Sequence, residues 1–159
     1  MRTGRHAGEP VRFRWVGFTL LVGALALVVL PALPWFSAPT PRGSVSASGL
    51  EISGILWLVP VLGMVVALSG VSLLVAPTRR AVAVARWAGP LAALAGALAL
   101  AAVVWAGGDP QAVLTVHGRL VVSDLTEHVR RESASWMATG AAMGTLLVGG
   151  LAGLAAWRH

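Results

Sequence analysis

The sequence predicts an all-α fold: a polytopic integral membrane protein whose four transmembrane helices form an antiparallel bundle. Hydrophobic residues make up 57% of the 159 residues and charged residues only 11%, whereas a soluble domain has roughly 25% charged residues. Four stretches contain no Asp, Glu, Lys or Arg, and each is 22 to 27 residues long, more than the roughly 18 that a spanning helix needs. Because none shows the polar stripe of a helix on a soluble core, we predict that all four cross a membrane. The uncharged stretches are 15–41, 52–78, 87–108 and 133–157.

The seven tryptophans mark the ends of these stretches. Three pairs bracket one stretch each and are separated by 20, 18 and 21 residues, and the remaining tryptophan opens the second stretch. At about 1.5 Å per residue, each bracketed distance approaches the roughly 30 Å of a bilayer core. Tryptophan prefers the membrane–water interface, where its ring is buried and its N–H stays hydrated. The predicted interface anchors are Trp15, Trp35, Trp57, Trp87, Trp105, Trp136 and Trp157.

Prolines and polar residues delimit the first two spans. A polar arm, residues 1–14, precedes the first span, which ends at Pro31 and Pro34 because proline lacks a backbone donor and clashes with the preceding turn. The apolar run is long for the hydrophobic region of a signal peptide, so we expect the first span to be retained. Pro77 ends the second span. The transmembrane domain, 15–157, divides into spans at about 15–33, 53–76, 87–106 and 136–157, outer loops at 36–52 and 107–135, and an inner loop at 77–86.

The third and fourth spans are rich in alanine and glycine. The inner loop before the third span is so short that the second and third spans should be antiparallel neighbours. Residues 107–110, Gly-Gly-Asp-Pro, end the third span. The fourth span contains two GxxxG pairs whose start positions differ by nine residues, so that at about 100° per residue they point to opposite faces. We predict helix packing through Gly140 and Gly144 on one face and through Gly149 and Gly153 on the other, one face inside the bundle and one against a further helix or partner.

The distribution of arginine predicts the orientation in the membrane. With the N-terminus in the cytoplasm, eight arginines lie on the inner side and four on the outer side. The positive-inside rule therefore places both termini in the cytoplasm of a multi-pass protein of the bacterial plasma membrane. The inner arginines would face anionic lipid headgroups, each contributing about 1 kcal/mol, so the net charge of +6 requires no nucleic-acid partner. The absence of cysteine excludes disulfides and thiolate metal sites.

We predict no catalytic residue, no cofactor and no metal site. The central parts of the spans lack the ionisable residues that mark proton relays and ion-coupled carriers. Hydroxyl groups within the spans are expected to bond to their own helix backbone. Glu51 should pair with Arg42 or cap the second span, and four acidic and histidine residues of the second outer loop lack the spacing of a zinc motif. The hydroxyl residues are Thr19, Ser69, Ser72, Thr139 and Thr145, and the loop residues are His117, Asp124, Glu127 and His128.

The second outer loop is the main polar element of the chain. Asp124 resembles a helix N-cap with Glu127 three residues later, which predicts a short amphipathic helix in which Glu127 pairs with Arg131. The loop is long for a bundle connection and mixes charges with an apolar strip, as protein contacts do. We predict that 113–131 is ordered, covers the outer helix ends and docks on a partner. The predicted docking residues are Val113, Leu120, Leu125, Val129, Arg130 and Arg131.

Four sequence features occur together and carry a family resemblance. They are the sequence Leu33-Pro-Trp-Phe36 after the first span, Ser48-Gly-Leu-Glu51 at the end of the first outer loop, the arginine-bearing inner turn, and the Ala/Gly-rich run from Arg86 to Gly96. Over residues 16–157 the chain resembles the actinobacterial tryptophan-associated membrane proteins. These are small four-helix proteins encoded near tryptophan-biosynthesis genes, with no established activity. The use of arginine as the only strong cation, with no lysine, tyrosine or asparagine, also fits a bacterium with a GC-rich genome.

The sequence predicts a membrane protein without enzymatic activity. We expect an accessory or scaffold subunit that contacts a larger membrane partner through the fourth helix and the second outer loop. The alternative is an oligomeric facilitator of a small neutral or zwitterionic solute, such as an aromatic amino acid. A stoichiometric partner on gentle purification favours the first function, and a homo-oligomer with a polar central cavity favours the second.

Overall fold

The computed structural model describes residues 9–40, 43–77, 79–107 and 130–158. This part of the chain is mostly helical, which confirms the main feature of the predicted fold class. Its four long helices, the first two together with an adjoining 3₁₀ turn, form four stretches long and apolar enough to cross a membrane. The helices are α1 (Glu9–Val29), α2 (Leu58–Val75), α3 (Ala81–Gly107) and α4 (Ser133–Trp157), and the apolar stretches are Phe13–Ala32, Gly54–Val75, Ala81–Ala106 and Ser133–Trp157.

The long helices pack mainly in the cycle α1–α2–α3–α4–α1. The first contact, between α1 and α2, uses small residues. A methyl group added at Gly17 would lie 2.8 Å from the carbonyl oxygen of Gly70, and one added at Gly63 would lie 3.1 Å from the carbonyl oxygen of Ala24. The start of α1 therefore lies beside the end of α2, and the later part of α1 beside the start of α2.

The buried core changes composition from one side of the cycle to the other. On α1 and α2 it consists largely of leucine and valine, whereas on α3 and α4 it consists largely of alanine. Small side chains bring the α3 and α4 backbones close together, which is how helices gain packing contacts inside a membrane. The fully buried core residues include Leu27, Val59 and Val66 on the first pair of helices, and Ala85, Ala92, Ala99, Ala138 and Ala142 on the second pair.

The third helix begins earlier than the sequence analysis predicted. It starts at Ala81 rather than at Trp87, so Arg86 lies within the helix instead of in the inner loop. The predicted start followed the last charged residue, Arg86, but the segment from Ala81 to Val84 is apolar and contains no helix breaker, so the helix and its apolar stretch both begin before that arginine. The connection from α2 to α3 is correspondingly shorter than the predicted loop 77–86.

The first outer loop, for which no strand was predicted, contains a β-hairpin. Strand β1 (Pro34–Thr40) pairs antiparallel with β2 (Gly43–Ser48), and a one-turn helix, Gly49–Ile52, follows. The serine and proline content of this loop concealed a period-two pattern, because serines at 44, 46 and 48 alternate with Val45 and Ala47. A 3₁₀ turn, Gly54–Trp57, then leads into α2.

A third strand replaces part of a predicted helix. Arg130 and Arg131 form β3, which pairs with Ser37 and Phe36 and gives the sheet order β2-β1-β3. The predicted amphipathic helix was expected to include Arg131 and is wrong there, because backbone pairing with the edge of β1 satisfies the same groups in an extended conformation. The other predicted docking residues, Val113, Leu120, Leu125 and Val129, lie outside the described residues, as do His117, Asp124, Glu127 and His128.

Candidate functional site

The sheet lies at the end of the bundle where α1 ends and α4 begins, and we call it the sheet end. Trp35 is the centre of this end: its side chain is 0% exposed, and its indole Nε1 donates to the carbonyl oxygen of Leu30 over 2.9 Å. A methyl group added at Gly49 would lie 2.7 Å from the Trp35 ring, so the one-turn helix closes directly over the indole. The prediction that Trp35 is an interface anchor is therefore wrong. The one-turn helix covers the ring, and the 3₁₀ turn Leu30–Ala32 that follows α1 supplies the acceptor that lipid headgroups or water were expected to supply.

The other six tryptophans lie on the outside of the described structure. Their side chains are between 61% and 80% exposed. Outward positions near the helix ends are what an interface anchor requires, and their contact with lipid headgroups stays a prediction. These residues are Trp15, Trp57, Trp87, Trp105, Trp136 and Trp157.

Glu132 connects the sheet to the start of α4. Its backbone N–H donates to the carbonyl oxygen of Trp35 over 2.8 Å, and the Ser37 hydroxyl donates to its carboxylate. Glu132 also occupies the N-cap position of α4. A carboxylate close to the first turn of a helix interacts favourably with the positive end of the helix dipole. The hairpin thus holds the residue from which α4 begins.

Arg131, the second residue of β3, also connects the sheet to the first turn of α4. Its Nε donates to the Ser135 hydroxyl over 2.9 Å, and that hydroxyl donates to the carbonyl oxygen of Glu132, also over 2.9 Å. The guanidinium carbon lies 4.2 Å from the centre of the Trp136 ring, a cation–π distance. The Arg131 side chain is therefore engaged by the first turn of α4. The sequence reasoning missed this role, although the spacing of Arg131, Ser135 and Trp136 was a usable signal.

Glu51 is part of a capping box rather than a site for a ligand. The backbone N–H and the hydroxyl of Ser48 both donate to its carboxylate, over 2.8 and 2.9 Å. Capping is one of the two roles predicted for Glu51 from the sequence. The helix that it caps is the one-turn helix after β2 instead of the second span. This arrangement fixes the chain next to Trp35.

The two glycine pairs of α4 lie in different surroundings. Gly149 and Gly153 are buried against α3: a methyl group at Gly149 would lie 2.6 Å from the backbone nitrogen of Ala93, and one at Gly153 would lie 3.0 Å from Pro90. Around Gly140 and Gly144, by contrast, the described structure has no atom within 4 Å of the corresponding position. One pair thus packs inside the bundle and the other points outward.

The outward pair belongs to a continuous face of α4 that we call the glycine face. Because the two glycines carry no side chain, they leave a shallow notch between larger apolar side chains. Methionine is among these neighbours, and its flexible thioether adapts to different contacts. The glycine face is defined by the exposed residues Trp136, Gly140, Met143, Gly144 and Leu147.

At the opposite end of the bundle, which we call the arginine end, Arg86 connects α3 with α4. Its Nε donates to the carbonyl oxygen of Ala156 over 3.1 Å, and its guanidinium lies 5.8 Å from the centre of the Trp157 ring. A cation that bonds to the last carbonyls of a helix also interacts favourably with the negative end of the helix dipole. The extra turns at the start of α3 place Arg86 where it makes this contact.

The described residues bear on the predictions for metal binding and for the hydroxyl groups of the helices. They include no group of three or more His, Cys, Asp or Glu residues that could hold a metal ion. The prediction for the hydroxyl groups is confirmed, since each bonds to the carbonyl oxygen four residues earlier in its own helix. These donors are Thr19, Ser69, Ser72, Thr139 and Thr145. No protein-family model and no curated protein matches this chain.

Proposed function

We propose that this protein is an accessory or scaffold subunit of a plasma-membrane assembly that binds a membrane-spanning helix of its partner against the glycine face. The observation that carries the proposal is the outward pair, Gly140 and Gly144, on a helix whose other glycine pair already packs against α3. In a bilayer, an apolar face gains little by exchanging lipid for protein unless the backbones approach closely, and glycine permits that approach.

The connection at the sheet end supports the same function. The glycine face begins at Trp136, on which the Arg131 guanidinium stacks, and β3 continues directly into this turn. A partner helix in the notch would therefore contact a rigid surface outside the membrane as well as inside it. The docking role predicted from the sequence for 113–131 is part of this proposal, although 113–129 lies outside the described residues.

The interior of the bundle favours a scaffold over a facilitator that acts as a single copy. Between α3 and α4 the backbones are nearly in contact, since a methyl group at Gly96 would lie 2.6 Å from the backbone nitrogen of Leu146. Two cavities of the described structure are open grooves between neighbouring helices, one between α1 and α4 and one between α3 and α4. A facilitator would need its solute path between several copies of the chain.

The resemblance to the tryptophan-associated membrane proteins is part of this proposal. Two of the sequence features that carry it contact each other, because Gly49 lies against the ring of Trp35 and Glu51 caps the helix that holds Gly49 in place. We propose a common architecture of the sheet end in such proteins. Their genes lie near tryptophan-biosynthesis genes, which gives a context for the partner. The family has no catalytic residues to carry over to this chain.

We further propose an antiparallel bundle with both termini in the cytoplasm, so that the sheet end lies outside the cell. Reporter fusions after Ser44, Arg80, Thr126 and His159 test it. We expect extracytoplasmic signals at Ser44 and Thr126 and cytoplasmic signals at the other two positions, because eight of twelve arginines then face inward. An extracytoplasmic signal at Arg80 or His159 contradicts this topology.

The docking role is tested by co-purification from gently solubilised membranes. Replacing both Gly140 and Gly144 with leucine fills the notch, so we expect at least tenfold lower recovery of the stoichiometric partner, while the chain itself still inserts and folds. The matched control replaces two exposed alanines of α3, Ala83 and Ala101, with leucine and should leave recovery unchanged. Equal recovery with both double variants would show that the glycine face meets only lipid.

A further inference from the structure

A groove separates the start of α1 from the end of α4. The two helices touch where Gly23 faces Thr145, and the groove lies between that contact and the arginine end. Its volume is about 590 Å³, within the roughly 300–1,000 Å³ of small-molecule sites. Apolar side chains such as Phe13, Val16 and Leu151 line most of it.

A single cationic side chain completes the lining. Arg158 borders the groove, and no acid is among its lining residues, which all belong to the described part of the chain. Arg14 is exposed at the same end of the bundle, next to Trp15, which also lines the groove. A long apolar surface that ends at cations complements an amphiphile with an apolar tail and an anionic head.

We propose that this groove is a binding site for an anionic phospholipid of the inner leaflet, with one acyl chain between α1 and α4 and the phosphate beside Arg158. The inference rests on the proposed orientation in the membrane, which places the arginine end at the cytoplasmic surface. Clusters of basic residues at that depth attract anionic headgroups. Arg86 is not part of the site, because its side chain already bonds to Ala156.

Lipid titration of the purified full-length chain in detergent, followed by native mass spectrometry, tests the site. The probes are dioleoyl phosphatidylglycerol and dioleoyl phosphatidylcholine, which share acyl chains and differ in net charge. We expect the wild-type chain to bind the anionic lipid at least fivefold more tightly. The variant Arg158→Gln should lose about fivefold of that affinity, the factor equivalent to about 1 kcal/mol for one arginine near an anionic surface.

Two further variants separate the groove from general surface charge. Ala155→Leu adds bulk to the lining and should weaken binding of both lipids, whereas Ala83→Leu, at an exposed position on α3, should weaken neither. Arg80→Gln removes an exposed arginine at the same end that does not line the groove, and should leave the selectivity unchanged.

Two results would overturn the site: equal wild-type affinity for the two lipids, or equal loss of anionic-lipid affinity in Arg158→Gln and Arg80→Gln. Because the titration uses the isolated chain, neither result bears on the docking role of the glycine face. Conversely, unchanged partner recovery after substitution of Gly140 and Gly144 would refute that role and leave the lipid titration intact.

Discussion

Replacing Trp35 with alanine is expected to lower the free energy of unfolding in detergent by about 3–5 kcal/mol, the usual cost of truncating a large buried aromatic side chain. The indole is fully buried, and two segments contact it: the 3₁₀ turn Leu30–Ala32 that follows α1, and the one-turn helix that begins at Gly49. Its loss leaves a cavity and removes one of the two hydrogen bonds that the Leu30 carbonyl oxygen accepts, the other being donated by the Leu33 backbone N–H. Denaturant unfolding followed by near-ultraviolet circular dichroism measures the loss.

Two further variants test whether the loss of stability comes from the buried position of Trp35. Trp35→Phe keeps most of the apolar bulk but removes the N–H donor, so we expect a smaller loss of about 1–3 kcal/mol. Trp105→Ala truncates the most exposed tryptophan of the described structure and should change the free energy of unfolding by less than about 1 kcal/mol. Equal losses for the Trp35 and Trp105 alanine variants would contradict the buried role of Trp35.

The second large effect is expected at the inward glycine pair of α4. A side chain at Gly149 would meet the backbones of Ala93 and Gly89 at 2.6 and 2.9 Å, and backbone atoms of a packed helix cannot rotate away as a side chain does. We expect Gly149→Ala to cost about 1–3 kcal/mol, and Gly149→Leu to separate α3 from α4 and abolish a cooperative unfolding transition. Thermal unfolding in detergent measures both.

Gly144 provides the matched control within the same helix. Nothing in the described structure lies within 4 Å of a methyl group added there, so Gly144→Leu should leave the free energy of unfolding within about 0.5 kcal/mol of the wild type. Substitutions of the outward and the inward glycine would then differ in their effect on the free energy of unfolding, although both glycines belong to GxxxG pairs. If Gly144→Leu destabilised the isolated chain as much as Gly149→Leu, the packing of α4 described above would be wrong.

The four long helices could be predicted from the sequence, whereas the strands and the one-turn helix at the sheet end could not. Uncharged apolar stretches and their flanking prolines predict the four long helices directly, because solvation by lipid requires a long run without charges. The start of α3 was misplaced because it was set after the last charged residue, Arg86, whereas the helix and its apolar stretch begin at Ala81 and include that arginine. Boundaries of this kind depend on local helix formation, which the positions of charged residues in the sequence do not indicate.

The sheet end depended on contacts between residues distant in sequence. Trp35 has the local surroundings of an interface tryptophan, and only the return of the chain through Gly49 buries it. Likewise, the local sequence around Arg130 and Arg131 predicts the end of a helix. These residues form a strand because the edge of β1 is available for pairing. The two faces of α4 were predicted from helical geometry alone, but which glycine pair faces α3 depends on packing that the sequence does not contain.

The central claim is that the glycine face binds a protein partner, and site-specific photo-crosslinking in native membranes tests it most directly. A photoreactive side chain at Met143, on the glycine face, is compared with one at Leu98, an exposed position on α3. We expect one discrete adduct with a different membrane protein from Met143, none from Leu98, and loss of the Met143 adduct when Gly140 and Gly144 are leucine. Lipid adducts alone at both positions, or an adduct with a second copy of this chain, would contradict the accessory role.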